Sequence, residues 1–117
     1  MSAKNIKIHI PFGDESAIGP GKADLLEAIH ATGSISAGAR HMGMSYKRAW
    51  DLVDTMNRSF RQPLVTTATG GSQGGGAQVT EFGFEVLRHY RSLEVKANQA
   101  IVAELDELLA MLTPQAR

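Results

Sequence analysis

The chain has 117 residues and a formal net charge of zero, with 43% hydrophobic and 21% charged residues. That is the size and balance of one globular domain with a single core. It has no cysteine, which excludes a disulfide framework, a thiolate metal site and a cysteine nucleophile.

Met1 to Phe12 alternates and carries Lys4 and Lys7, unlike the continuous apolar core of a signal peptide. No apolar run approaches the roughly 20 residues that cross a bilayer, so a cytoplasmic protein without a membrane partner is expected. Ile6, Ile8, Ile10 and Phe12 alternate with Lys7, His9 and Pro11, the pattern of a half-buried edge strand. Gly13 to Gly19 reads as a turn-rich connection. Pro20 and Gly21 open a helix with Leu25, Leu26, Ile29 and His30 on its inner side, and Thr32-Gly33 stops it. Ser34 caps a short helix containing Ile35, Ala39 and Met42; Gly43 breaks it and Ser45 caps the next.

In that third helix Ala49, Val53, Met56 and Phe60 form one apolar stripe, with Trp50 on its flank. Trp50 is expected in the core, its indole N–H being the alternative donor to a phosphate. The opposite face carries Lys47, Arg48, Asp51, Thr55 and Arg58, with Tyr46 at the helix start. Arg and Lys can meet guanine edges or phosphates, and Asp can accept from cytosine. A small residue at the helix crossing (Ala39), glycine in the turn (Gly43) and apolar Met44, Ala49 and Val53 match a helix-turn-helix. An ordinary helical core with a basic outer face fits the same segment.

The charge is polarised. Arg40 to Arg61 holds five bases and two acids, net +3, whereas Glu94 to Glu107 holds four acids and one base, net −3. Such a distribution orients a protein on a polyanion. The β-prone run Leu64 to Thr69, the glycine-rich GGSQGGG of Gly70 to Gly76, and Ala77 to Thr80 read as a β-hairpin. The glycines satisfy neither the Walker nor the dinucleotide spacing. They fit a plain turn, or a wing tip with Ser72 and Gln73 as donors to DNA.

Thr80-Glu81 starts a long helix in which Phe82, Val86, Tyr90, Leu93, Ala97, Ile101, Leu105, Leu108 and Leu112 recur at threes and fours, a mean spacing of roughly 3.75. About 30 helical residues span ~45 Å, more than one small domain covers. A second copy of the chain is the expected cover, with Tyr90, Leu93, Ala97, Ile101, Leu105, Leu108 and Leu112 at the dimer interface. The alternative is a helix broken near Lys96 to Asn98 and folded back.

His9, His30, His41 and His89 form no pair at helical spacing, so no metal site is expected. No catalytic residue and no cofactor is implied, and the chain is not read as an enzyme.

The expected architecture is mainly α with a small β-hairpin. Residues 1–80 form a winged helix-turn-helix, and residues 81–117 form a long C-terminal dimerisation helix and tail within the same structural unit. The candidate DNA-binding residues are Ser45, Tyr46, Lys47, Arg48, Asp51, Thr55, Arg58, Ser72 and Gln73.

Several blocks carry a family resemblance: Gly33-Ser34-Ile35-Ser36, Met44-Ser45-Tyr46-Lys47 with Ala49-Trp50-Asp51, Met56-Asn57, Ala68-Thr69-Gly70-Gly71, Gly74-Gly75-Gly76 and Thr80-Glu81-Phe82-Gly83. In order and spacing the chain from about Gly21 to Leu93 resembles the N-terminal DNA-binding domain of ModE-type molybdate-responsive regulators, related to that of LysR-type regulators. The resemblance implies a homodimer on a pseudo-palindromic operator in double-stranded DNA, and control of molybdenum uptake or molybdoenzyme genes. Those regulators carry an oxyanion-binding module after the long helix. The chain ends at Arg117, so molybdate sensing is not carried over and the effector is left open. A protein-interaction module that has lost DNA binding is the second functional class, motivated by the zero net charge and the acidic C-terminal stretch. An oxyanion-binding protein acting through the glycine run is the third.

Overall fold

The computed structural model describes residues 6–68 and 76–114. In chain order these form β1 (Ile10–Phe12), β2 (Glu15–Ile18), α1 (Pro20–Thr32), α2 (Ile35–Met42), α3 (Tyr46–Ser59), β3 (Val65–Ala68), β4 (Gly76–Val79) and α4 (Glu81–Ala110). The strands make two separate antiparallel pairs, β1 with β2 and β3 with β4.

Local chemistry sets the helix boundaries. Pro20 sits in the first turn of α1, where its missing N–H costs nothing. The Oγ atoms of Ser34 and Ser45 and the Oγ1 of Thr80 accept from the backbone N–H of Ala37 (2.9 Å), Arg48 (3.1 Å) and Gly83 (2.8 Å), capping α2, α3 and α4. Gly33 and Gly43 end α1 and α2 with φ of 86° and 72°, left-handed values that a Cβ disfavours.

One core lies among α1, α2, α3, the β3–β4 pair and the start of α4. Leu25, Leu26, Ile29, Ile35, Ala39, Ala49, Val53, Met56, Leu64, Val65, Val79 and Tyr90 are buried in it. The predicted stripe of α3 is therefore inward, with Phe60 half-buried at its end and packed edge-on to Phe82 at 6.4 Å. Gly83 is a close-approach site: a Cβ there would overlap the Leu64 carbonyl oxygen and the Val79 side chain. Thr80 fastens the same junction, its N–H donating to Leu64 O (2.9 Å) and its hydroxyl to Pro63 O (2.8 Å).

Three expectations change. Gly13 to Gly19 is not only a turn: Glu15–Ile18 is a strand, paired with the shorter β1 across Phe12↔Glu15, Pro11↔Ser16 and Ile10↔Ile18. His30 is exposed on α1 and meets Phe84 edge-on at 4.9 Å rather than entering the core. The third change concerns Tyr90, expected at a dimer surface. It is 2% exposed within the chain's own core, and its hydroxyl donates to the Ile8 carbonyl at 2.6 Å. An aromatic side chain on the inner line of α4 is covered by its own domain before a second copy can reach it.

α4 runs unbroken for 30 residues, so no fold-back at Lys96 to Asn98 occurs. Its first half is tied down by Arg91, which pairs with Asp24 (2.6 Å), Glu27 (3.1 Å) and Glu94 (2.9 Å). Asn98 Oδ1 accepts from the Ile6 N–H at 3.0 Å. Beyond that point Val102, Leu108, Met111 and Leu112 are exposed, and Ile101, Leu105 and Leu109 are half-buried.

Candidate nucleic-acid interface

The inner face of α3 determines what its outer face can do. Ala39 on α2 and Ala49 on α3 are buried at the helix junction, and their small size lets the two backbones approach. The turn between them is tight: Met44 N–H donates to Ala39 O at 3.0 Å and Gly43 N–H to Arg40 O at 3.1 Å. With Ala49, Val53 and Met56 inward, the 3.6-residue period turns Lys47, Arg48, Asp51 and Arg58 to solvent, while Tyr46, one turn before Ala49, is exposed as the first residue of the helix. Lys47, Asp51 and Arg58 thus share the side opposite the core, with Arg48 and half-buried Thr55 on one flank and Tyr46 on the other, beside Trp50.

Their electrostatic states differ. Lys47 Nζ lies 3.2 Å from Asp51 Oδ2 with both side chains well exposed. Such an i,i+4 pair is worth only about 0.3–0.5 kcal/mol, so either partner is easily diverted to a ligand. Arg58 is more committed, pairing with Asp54 at 3.0 Å and lying 3.9 Å from Glu15. The hydrogen bond to Asp54, then its charge, raises the Arg58 pKa further. Among the described residues no carboxylate lies within ion-pair distance of Arg48, which makes it a free cation. Thr55 donates its hydroxyl to Asp51 O at 2.9 Å and keeps only acceptor capacity. Ser45 uses its oxygen in the cap and keeps its proton to donate.

The β3–β4 pair stands beside this helix in the register Val65↔Val79, Thr66↔Gln78, Thr67↔Ala77, Ala68↔Gly76. Val65, Ala77 and Val79 face the core, whereas Thr66 and Gln78 are exposed, the alternation of a one-sided strand pair; Thr67, opposite Ala77, is exposed although it shares the inner face. The hairpin is anchored at both strands. The Ala77 N–H donates to Gly33 O at 2.9 Å, and Asn57 of α3 bonds Leu64 and Val65 at the root of β3. Ser72 and Gln73, the wing-tip donors expected from the sequence, lie outside the described residues.

Trp50 is not a core residue. It is 45% exposed, next to Tyr46 at 55%. At 100° per residue it stands about 90° from the centre of the Ala49–Val53–Met56–Phe60 stripe, far enough round the helix to leave the core. A flank position at that angle is buried only if a neighbouring element covers it, and the wing leaves this one open.

Among the described residues no group of three His, Asp or Glu could hold a metal ion, and no helix is long and apolar enough to cross a membrane.

This is the architecture of a winged helix-turn-helix protein: a capped outer helix, a tight glycine turn and a two-stranded wing. Among solved structures it is similar to ArgP from Mycobacterium tuberculosis, with a TM-score of 0.51 and 18% identity over 74% of this chain and 30% of that one. It is also similar to S. aureus MepR in its complex with DNA, with a TM-score of 0.50 and 14% identity over 80% of this chain and 79% of that one. No family model matches the chain.

Curated relatives bear out the ModE-type resemblance, and ModE regulators are sequence homologues of this chain. The molybdenum transport protein ModE of Azotobacter vinelandii is 43% identical over 86 residues, 74% of this chain and 32% of that protein. The molybdenum-pterin-binding protein MopA of Rhodobacter capsulatus is 45% identical over 72% of this chain and 32% of its own length. The transcriptional regulator ModE of Haemophilus influenzae is 37% identical over 100% of this chain and 47% of its own. The chain spans less than half the length of each of these relatives. These comparisons point to regulators rather than enzymes.

Proposed function

We propose that the chain is a sequence-specific DNA-binding transcriptional regulator that acts in the cytoplasm as a homodimer on a pseudo-palindromic operator, in molybdenum-related gene control. The observation that carries this reading is the exposed face of α3. Tyr46, Lys47, Arg48 and Asp51 project from one capped helix whose other face is locked in the core, with a wing beside it. In the proposal α3 enters the major groove. Arg48 and Lys47 meet phosphate or guanine, Asp51 accepts from cytosine, and Tyr46 and Ser45 donate near the helix start. Thr55 and Arg58 contact the far side of the groove, and Ser72 and Gln73 the flanking backbone. Residues 1–80 carry the DNA contacts and residues 81–117 the pairing helix and tail, through Leu93, Ala97, Ile101, Leu105, Leu108 and Leu112. The DNA in the MepR structure and the names of the ModE relatives support the partner and the gene class.

The test is fluorescence anisotropy of labelled duplexes from molybdate-transport promoters at several salt concentrations, with and without molybdate. Sequence-selective binding whose logarithm falls linearly with log salt is expected. Affinity no greater than for random DNA at every salt would instead favour a protein-interaction module on this scaffold. The zero net charge and the acidic stretch from Glu94 to Glu107 motivate that second reading.

A further inference from the structure

The side of α3 next to the wing holds a feature of which the contacts proposed above use only the Tyr46 hydroxyl. Trp50 and Tyr46, both about half exposed, open onto a cleft of about 410 Å³ completed by Ser34 and Ser36 from the start of α2 and by Thr67 and Ala77 from the wing. The frame of the cleft is fixed. The Ala77 N–H to Gly33 O bond joins the wing to the α1–α2 junction, and Ser34 is held as the α2 cap. One cation stands at its rim: Arg40 Nη1 donates to Ser36 Oγ at 3.1 Å. Among the described residues no carboxylate lies within ion-pair distance of Arg40.

We propose that this cleft seats one sugar–phosphate strand of the duplex, with the rings of Trp50 and Tyr46 against deoxyribose and Arg40 and Ser36 at the phosphate. The inference rests on the DNA-binding reading above and deepens it. The two grooves of a duplex are divided by a backbone strand. A helix lying in the major groove and a wing over the neighbouring minor groove therefore have one strand between them. The cleft lies between those two elements. Its chemistry matches that strand: rigid aromatic surface with N–H and O–H handles for the sugar edge, hydroxyls and an unpaired guanidinium for the anion. The contact carries no base information, so it strengthens binding to every sequence alike.

Trp50 is the only tryptophan, so its emission reports on this cleft directly. The experiment titrates the full chain with labelled promoter duplex and with random duplex at low salt, following label anisotropy and Trp50 emission together. Emission is expected to change along the same isotherm as the anisotropy for both duplexes. Trp50→Ala is expected to weaken both by about tenfold, and Trp50→Phe by less, with circular dichroism showing that each variant is folded. If Trp50→Ala does not fold, wild-type emission and Trp50→Phe decide. Duplex binding that leaves Trp50 emission unchanged, with the folded variants within about twofold of wild type, overturns the cleft and leaves the DNA-binding reading standing. The cleft then belongs to another occupant, such as a peptide. Absence of duplex binding by anisotropy removes both.

Discussion

Asn57 closes on Val65 in both directions: its Nδ2 donates to the Val65 carbonyl at 3.0 Å, and its Oδ1 accepts from the Val65 N–H at 3.2 Å. The same Oδ1 accepts from the Leu64 N–H at 2.8 Å. A side-chain amide thus does at the root of the wing what a neighbouring strand does elsewhere, satisfying backbone groups beside buried Leu64 and Val65. It also fixes the wing to the helix that presents Arg48. Asn57→Ala strands two N–H groups and a carbonyl, and is expected to destabilise the fold by about 2–4 kcal/mol. Asn57→Asp retains both acceptor bonds but sets a carboxylate against the Val65 carbonyl. Its deficit is expected to shrink as pH falls and the new carboxyl regains a proton to donate. Urea unfolding of both variants across pH checks this; an Asn57→Asp deficit independent of pH would contradict it.

Most of this scaffold is legible in the sequence because its punctuation is chemical. Gly33, Gly43, Ser34, Ser45 and Thr80 each mark a helix end through a mechanism a single residue reveals, and the side-chain caps form as expected. β2 is not legible in this way. Glu15 to Ile18 has no alternation, and becomes a strand only because Gly13, at φ 61°, turns the chain back on β1. Asn57 is equally silent: its partners lie seven and eight residues away in a segment whose path the sequence does not reveal. Trp50 and Tyr90 exchange their expected places for one reason. Periodicity defines a face, but which flank of that face is covered depends on the wing for one and on the N-terminal segment at Ile8 for the other.

Tyr90 links that N-terminal segment to α4, and its titration makes the link measurable. Burial, with Glu94 assisting, pushes the phenol up to about 12, from an ordinary value near 10. The fold therefore holds the neutral form. The resulting stabilisation is complete below about pH 10 and is lost as pH rises towards about 12. Tyr90→Phe is expected to cost about 1 kcal/mol at neutral pH, the loss of the bond to the Ile8 carbonyl. The difference between wild type and variant should then narrow between pH 10 and 12. Melting temperatures followed in parallel through that window test the sign; a gap that widens with pH would contradict it.

Arg48 and Asp51 stand one turn apart on the proposed reading face and predict different kinds of loss. Arg48 has no carboxylate partner among the described residues, so Arg48→Ala removes a cation without freeing an acid. If it meets a phosphate, affinity falls for all sequences, and the slope of log affinity against log salt shrinks by about 0.9 per protomer. Asp51→Ala releases Lys47 and removes a base-edge acceptor. It is expected to relax preference at one base pair by about 1–3 kcal/mol without reducing the salt slope. Anisotropy with operator and single-substituted duplexes separates the two; an Arg48→Ala variant with an unchanged salt slope would move Arg48 off the phosphate backbone.

The distal half of α4 sets the last expectation. Leu108 near the end of α4, and Met111 and Leu112 just past it, are 59%, 79% and 61% exposed, beyond a first half already held by Arg91 and Tyr90. Charged substitutions there touch no core residue, so Leu108→Glu with Leu112→Glu is expected to leave the secondary structure of the single domain intact. If these leucines are covered by a second copy, wild type sediments as a dimer and its melting temperature rises with concentration, while the double variant is monomeric and melts independently of concentration. The proposed operator link follows from the same experiment. Two recognition helices on one face of B-DNA need half-sites about 34–36 Å apart, so the double variant should lose affinity for a palindromic duplex and keep it for a half-site. A wild-type chain that light scattering finds monomeric at tens of micromolar would end the pairing role of α4 in this chain.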